Sequence, residues 1–269
     1  MIQTALPTAE IVYLEQLVGR LQSGLQQRLV GVYLFGSAAY GDYQPGQSDL
    51  DVQAVVASSL SEQERRELAG SLLHQALPCP ARRLEFVCYA RPCIDPASRP
   101  PQFELNLNTG AGETDHLAVD PSGESSHWFL LDIAIGRELG YRLFGPAPAT
   151  VFAPIPRLWQ LEAILDSLRW HREHEAASRN SILNACRGWR YAVTGHWGSK
   201  LAGAAWAMRQ AGCPVVVEQA IKHQDDALQW TATEVNSLTE IVMEAVQAAR
   251  LREYNNRSKS AGTSTNASE

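Results

Sequence analysis

The sequence predicts an α/β domain, built as a mixed sheet with helices, followed by an α-helical bundle domain. Three observations carry this. Apolar, β-prone runs alternate with segments of helical periodicity as far as Leu139. The stretch 144–156 is then dense in Pro and Ala, the composition of an inter-domain boundary. Beyond it every segment reads as helix. The domains are therefore placed at 1–153 and 154–254, and residues 255–269, rich in Ser, Thr and Asn and poor in apolar side chains, are read as a disordered tail.

Each element has a local reason. Thr8 can cap a helix whose Leu14, Leu17, Val18, Leu21 and Leu25 form one stripe. A strand at 30–35 meets Gly36-Ser37, a Gly/Pro-punctuated loop follows, and a second strand runs over 49–56. Ser61 and Glu64 make a capping-box pattern for a helix reaching about Leu77, before Pro78. Strands are expected at 83–90 and 102–108, an unperiodic loop at 109–126, and a helix at 126–139. In the second half, helices are expected at 157–175, 179–194, 199–211, 214–228 and 231–253. Gly195 and Gly212 stand at C-cap positions, and Thr231 with Glu234 repeats the capping box.

The 269 residues are 45% apolar and 19% charged, with a net charge of −6. That balance argues against an extended nucleic-acid footprint and suits a small cationic ligand. Five cysteines without C-x-x-C spacing indicate neither a disulfide framework nor a zinc site. A cytoplasmic location, no membrane association and a monomer are expected, since no apolar run approaches the length of a membrane span and no signal-type segment opens the chain.

The chemistry concentrates in LFGSAAYGDYQPGQSDLDVQAVV, residues 34–56. Strand alternation puts Asp49, Asp51 and Gln53 on one face and Leu50, Val52 and Ala54 on the other. Two carboxylates on one face repel, and a hard divalent cation relieves the repulsion, as when Mg²⁺ is shared between carboxylates and nucleotide phosphates. Gly36 lets backbone approach a ligand, and Ser37 offers a hydroxyl and an amide. Gly41 is followed by Asp42 and Tyr43, so the segment is not a Walker A loop. Glu85 interrupts an apolar strand, where a lone charge is costly to bury, and is expected to face the same cleft. His171 and His174 read as a solvated pair, and Trp189, Trp197 and Trp206 as core and domain-interface residues.

The run GSAAYGDYQPGQSDLD resembles the nucleotidyltransferase signature, and RNSILNACRGWRYAVTGHWGSKLAGAAWAM resembles the helical domain of the aminoglycoside 3″/9-adenylyltransferases. The resemblance implies an α/β nucleotidyltransferase domain, a helical bundle, and transfer of AMP from ATP to a hydroxyl of spectinomycin or streptomycin. By the same resemblance, Asp49 and Asp51 are Mg²⁺ ligands, and Glu85 is the base, also touching metal. Ser37, Ser48 and Asp132 are nucleotide contacts, while Asn180, Arg187 and Lys200 close onto ATP between the two domains. The family's streptomycin-contacting aromatic and acidic residues lack clear counterparts: Asn106 stands near where Trp is expected. Spectinomycin needs fewer of those contacts. The alternatives are a different acceptor, such as a lincosamide or a protein, or nucleotide binding without turnover.

Overall fold

The leucine stripe of the first helix is one of the two surfaces that enclose the sheet. In the computed structural model, which describes residues 6–223 and 230–263 with side chains through Ser258, α1 (Thr8–Leu25) buries Tyr13, Leu14, Leu17, Leu21 and Leu25. Pro7 rather than Thr8 precedes the first turn, which has no side-chain cap. β1 (Leu29–Leu34) and the short α2 (Gly36–Tyr40) follow, then β2 (Leu50–Val56) and α3 (Glu62–Leu72). The reciprocal bonds of the Ser61/Glu64 capping box start α3. It stops five residues short of the expected Leu77, because the Leu73 backbone turns to ψ 144°, out of the helical region. β3 (Arg83–Ala90), α4 (Arg91–Ile94), β4 (Leu105–Gly110), β5 (His116–Ala118), α5 (Ser126–Leu139), β6 (Tyr141–Phe144) and α6 (Pro148–Val151) complete the first unit.

The strands form one mixed sheet in the order β5-β4-β3-β2-β1-β6. β2 and β3 are parallel, and the other pairings among the described residues are antiparallel. One face carries Val32, Leu34, Val52, Ala54, Leu84, Phe86, Cys88, Leu105 and Leu107 in a core shared with the apolar sides of α1 and α3. The opposite face carries Tyr33, Phe35 and Tyr89, whose rings gather around Phe152 at centroid distances of 5.7 Å (Phe35), 5.4 Å (Tyr33) and 6.1 Å (Tyr89). Two strands depart from expectation. β5 lies inside the segment 109–126 expected to be loop, and β6 pairs with β1 in the short interval between the expected 126–139 helix and the Pro/Ala-rich stretch, where no element was expected. Both are edge strands of three or four residues, too short to show a period.

The chain divides between Pro154 and Ile155 into two compact units. The second contains α7 (Arg157–His174), α8 (Arg179–Thr194), α9 (Lys200–Ala207), α10 (Val215–Lys222) and α11 (Ala232–Thr263). α8 packs against each of the other four. Trp189 and Trp206 meet edge to face, with centroids 5.6 Å apart, and Trp197 stacks on Tyr191 at 4.0 Å while its Nε1 donates to Gln160 Oε1 at 2.8 Å. α8 ends at Gly195, and Thr231 and Glu234 exchange backbone and side-chain bonds before α11 as the sequence predicts. Residues 224–228 of the expected 214–228 helix lie outside the described residues.

The expected disordered tail is corrected in part: α11 runs through residues 255–263. Helix propagation is cooperative, and this stretch has no proline and only one glycine, Gly262, to break it. Arg257 and Glu253 add an i,i+4 pair on its exposed side. Residues 264–269 lie outside the described residues.

α9 lies so close to α8 that a β-carbon on Gly203 would fall 2.7 Å from the Arg187 α-carbon. Gly203→Val is therefore expected to destabilise the full chain by about 1–3 kcal/mol, the range of overpacked sites. A urea unfolding curve checks this, with the midpoint lowered and the slope unchanged.

Candidate active site

The parallel pairing of β2 with β3 sets Asp51 opposite Glu85, with Asn108 of β4 and His116 of β5 continuing the row. Residues in register share a face, and neighbouring strands lie about 4.8 Å apart. Asp51 and Glu85 therefore stand side by side on the face away from α1 and α3, where the sequence places them.

Asp49 precedes β2 by one residue and joins this group. Burial, then the charge of Glu85, pushes its carboxyl above the ordinary aspartate range, while Arg82 and Arg83 pull the other way. Arg82 grips Asp49 with two bonds, Nε to Oδ1 at 2.8 Å and Nη2 to Oδ2 at 3.0 Å. Arg83 lies between acids: its Nε is 3.4 Å from Asp49 Oδ2, its Nη2 pairs with Glu85 Oε1, and its Nη1 is 3.5 Å from Glu113 Oε2. In this arrangement Asp49 and Glu85 are each paired with an arginine. Among the described residues no three His, Cys, Asp or Glu side chains are grouped to hold an ion. The guanidinium groups take the oxygens of Asp49 and Glu85 instead. The donor set nevertheless suits Mg²⁺, which is ordinarily held by one or two carboxylates together with phosphates and water rather than by a protein cage.

Gly36 is fixed by this geometry. Its φ is +60°, and a β-carbon there would lie 1.8 Å from Asp51 Oδ2, so the chain passes directly against the carboxylate. Ser37 is the second residue of α2, and its carbonyl accepts from the amides of Gly41 and Asp42 at 3.1 Å each. Ser48 closes the loop, its Oγ accepting from the Gln44 amide at 3.0 Å. Tyr43 anchors the same loop to α1 by donating to the buried Glu10 at 2.8 Å. Asp132 is half-buried on α5, and its charge, after burial itself, helps push the Tyr89 hydroxyl well above its usual range. Gln53 shares the face of Asp51 as alternation predicts, yet it is only 3% exposed and pairs in register with Tyr33 of the aromatic cluster.

In the helical unit, Asn180, Arg187 and Lys200 belong to one polar network. Asn180 Oδ1 accepts from Lys200 Nζ at 2.7 Å and from Asn184 Nδ2 at 3.0 Å, and Asn184 Oδ1 accepts from Arg187 Nη2 at 2.7 Å. His171 is not solvated as its sequence context suggests. It is 3% exposed, with Nδ1 3.1 Å from Glu175 Oε2 and Nε2 3.2 Å from Asn184 Nδ2. Bonds from His171, Asn180 and Ser178 bring the Glu175 carboxyl down to about 2, against the cost of its burial. His174 is exposed and stacks on Trp170 at 4.7 Å.

The sequence reading missed Arg82, Arg83, Asn184 and His171. Their signals are periodic. Arg83 is two residues before Glu85 on a strand and so shares its face. Asn180, Asn184 and Arg187 follow the i, i+4, i+7 rule on one helix side, and His171 with Glu175 is an i,i+4 pair.

A mixed sheet bearing paired acids after a Gly-Ser turn, followed by a helical unit, defines a nucleotidyltransferase of two parts. Residues 14–80 match the nucleotidyltransferase domain family, and residues 150–244 match the family described as aminoglycoside adenylyltransferase, C-terminal domain. An aminoglycoside (3″)(9) adenylyltransferase of Klebsiella pneumoniae is 31% identical over 251 residues, covering 85% of this chain and 90% of that protein. A spectinomycin 9-adenylyltransferase of Staphylococcus aureus is 31% identical over 191 residues, covering 67% and 71%. The crystal structure of a spectinomycin adenyltransferase from Enterococcus faecialis with ATP and spectinomycin aligns with a TM-score of 0.64 at 19% identity, covering 88% of this chain and 99% of that one. The chain belongs to the aminoglycoside (3″)(9) adenylyltransferase family and is an enzyme. Among the described residues no helix is long and apolar enough to cross a membrane.

Two outcomes follow from this geometry. Gly36→Ala meets both the left-handed backbone and the Asp51 carboxylate, and an ångström-scale displacement of Asp51 is expected to lower turnover about 100-fold. Steady-state assays checked against the thermal midpoint measure it. Glu175 has a folded value below its ordinary one, so its contribution to stability is present above the unfolded titration and lost as pH falls through the folded one. Glu175→Gln is therefore expected to destabilise the protein at pH 7, with the deficit closing between pH 4.5 and about 2 in denaturant titrations.

Proposed function

We propose that this enzyme transfers AMP from Mg-ATP to a hydroxyl of an aminocyclitol or aminoglycoside antibiotic, spectinomycin and/or streptomycin, releasing pyrophosphate. The observation that carries the reading is the in-register placement of Asp51 beside Glu85, with Asp49 next to both, in a member of this family. The names of the Klebsiella and Staphylococcus relatives support the acceptor class, and a net charge of −6 suits a cationic acceptor.

In this reading Asp49 and Asp51 hold Mg²⁺, with Glu85 beside them. The ion, when bound, offsets charge on the phosphates. Arg82 and Arg83, which hold oxygens of Asp49 and Glu85, would yield them to such an ion. Glu85 accepts the acceptor's hydroxyl proton as that oxygen bonds to the α-phosphorus. The bond from the α-phosphorus to the bridging oxygen breaks, and its electron pair leaves with pyrophosphate. Ser37, Ser48 and Asp132 contact the nucleotide, and Asn180, Arg187 and Lys200 take the triphosphate, the two cations offsetting its charge. Ser48 Oγ, which accepts from Gln44, keeps its proton to donate.

Purified protein with Mg-ATP and spectinomycin or streptomycin is expected to release pyrophosphate and form an adenylylated antibiotic; no turnover on either ends the acceptor assignment. Glu85→Gln is expected to bind ATP as the parent does by calorimetry while losing turnover by at least about 100-fold, the scale of a general base.

A further inference from the structure

The amides of the helical unit carry an orientation that the proposed nucleotide site does not explain. Arginine and lysine side chains only donate. Arg187 Nη2 at 2.7 Å therefore fixes the Asn184 oxygen toward itself, and Lys200 Nζ at 2.7 Å fixes the Asn180 oxygen. The amide nitrogens must then point away from the cations. Asn180 Nδ2 donates to Glu175 Oε2 at 3.0 Å, and Asn184 Nδ2 donates to Asn180 Oδ1 at 3.0 Å and lies 3.2 Å from His171 Nε2. An amide NH₂ has no acceptor capacity, so His171 Nε2 accepts and the ring proton sits on Nδ1. That side is furnished for a donor: Glu175 Oε2 lies 3.1 Å from Nδ1, and Ser181 Oγ, whose proton goes to the Glu175 carbonyl at 2.6 Å, lies 3.3 Å away. One tautomer satisfies every bond.

We propose that His171, held neutral with its proton on Nδ1, is a positioning residue for nucleotide binding: through Asn184 and Asn180 it fixes where Arg187 and Lys200 present their charges. This rests on the reading that those two cations take the triphosphate. The network ties three helices: His171 from α7, Asn180, Asn184 and Arg187 from α8, and Lys200 from α9. Long cationic side chains lose rotamer freedom when they bind, and holding them in place beforehand lowers that cost. Without the acceptor at Nε2, one Asn184 N–H loses its partner, and the amide that orients Arg187 is held by Asn180 and Arg187 alone.

The test titrates the full-length protein with Mg-ATP by calorimetry and follows adenylylation of spectinomycin. Arg187→Ala is measured first; unchanged ATP affinity overturns the reading, and the proposal with it. With Arg187→Ala weakened, His171→Phe is expected to bind ATP about tenfold more weakly, the scale of one well-placed hydrogen bond. Its KM for ATP should rise in step, with kcat changing by less than about threefold. His171→Gln, whose Oε1 can accept from Asn184, is expected to recover most of the affinity. Nitrogen-15 spectra of the parent should show Nε2 unprotonated. Unchanged ATP affinity in His171→Phe, a Gln variant no better than Phe, or a protonated Nε2 overturns the proposal while the reading stands. If His171→Phe fails to fold, Asn184→Ala, at a half-buried position, carries the same expectation, and unchanged ATP affinity there is equally decisive.

Discussion

Two carboxylates held side by side on neighbouring strands repel each other, and the pairing of β2 with β3 forces that proximity on Asp51 and Glu85. A shift of the register by one residue would send every side chain of one strand to the opposite face. Glu85 would then enter the core that contains Leu84, Phe86 and the leucines of α1. The apolar alternation of β3 against that core is therefore what keeps the acid on the chemical side. Core packing and catalytic geometry are two faces of one strand.

The protein meets the repulsion with Arg82 and Arg83. Asp49 receives a two-bond clasp from Arg82, and Arg83 serves Asp49, Glu85 and Glu113 at once. These pairs are partly exposed, so each adds little to stability. Their larger effect is to give Asp49, Glu85 and Glu113 a positive neighbour each. Burial still pushes the Asp49 carboxyl upward despite both arginines. Gly36 contributes by what it lacks: the turn reaches Asp51 because no β-carbon intervenes.

The two-part architecture was legible because a long periodic signal survives in single sequences. The described helices of the second unit fall where helices were expected, and the Ser61/Glu64 and Thr231/Glu234 patterns mark real helix starts. Asp51 and Glu85 were legible as acids out of place in apolar strands, but their register was not, since strand pairing is non-local. β5 and β6 were hidden by brevity. Gln53 obeyed alternation yet lies covered, because alternation assigns a face without saying what rests on it. His171 failed for a related reason: a helical histidine among charged neighbours reads as solvated, and only the approach of α8 buries it.

The helical unit shows why an arginine or lysine on a helix can be more than a surface charge. An exposed cation samples many rotamers and points nowhere in particular. Arg187 and Lys200 are anchored through amide oxygens whose own nitrogens are occupied, and the last acceptor in the chain is a carboxylate. Such a network is stable only when its members are satisfied together, because an unmatched polar group in a partly buried site costs more than the bond it would have made. Its polarity is directional as well: protons point from both cations inward and from His171 toward Glu175. The amide oxygens thereby set where both cations point, and each amide can do so only because its own nitrogen is already satisfied.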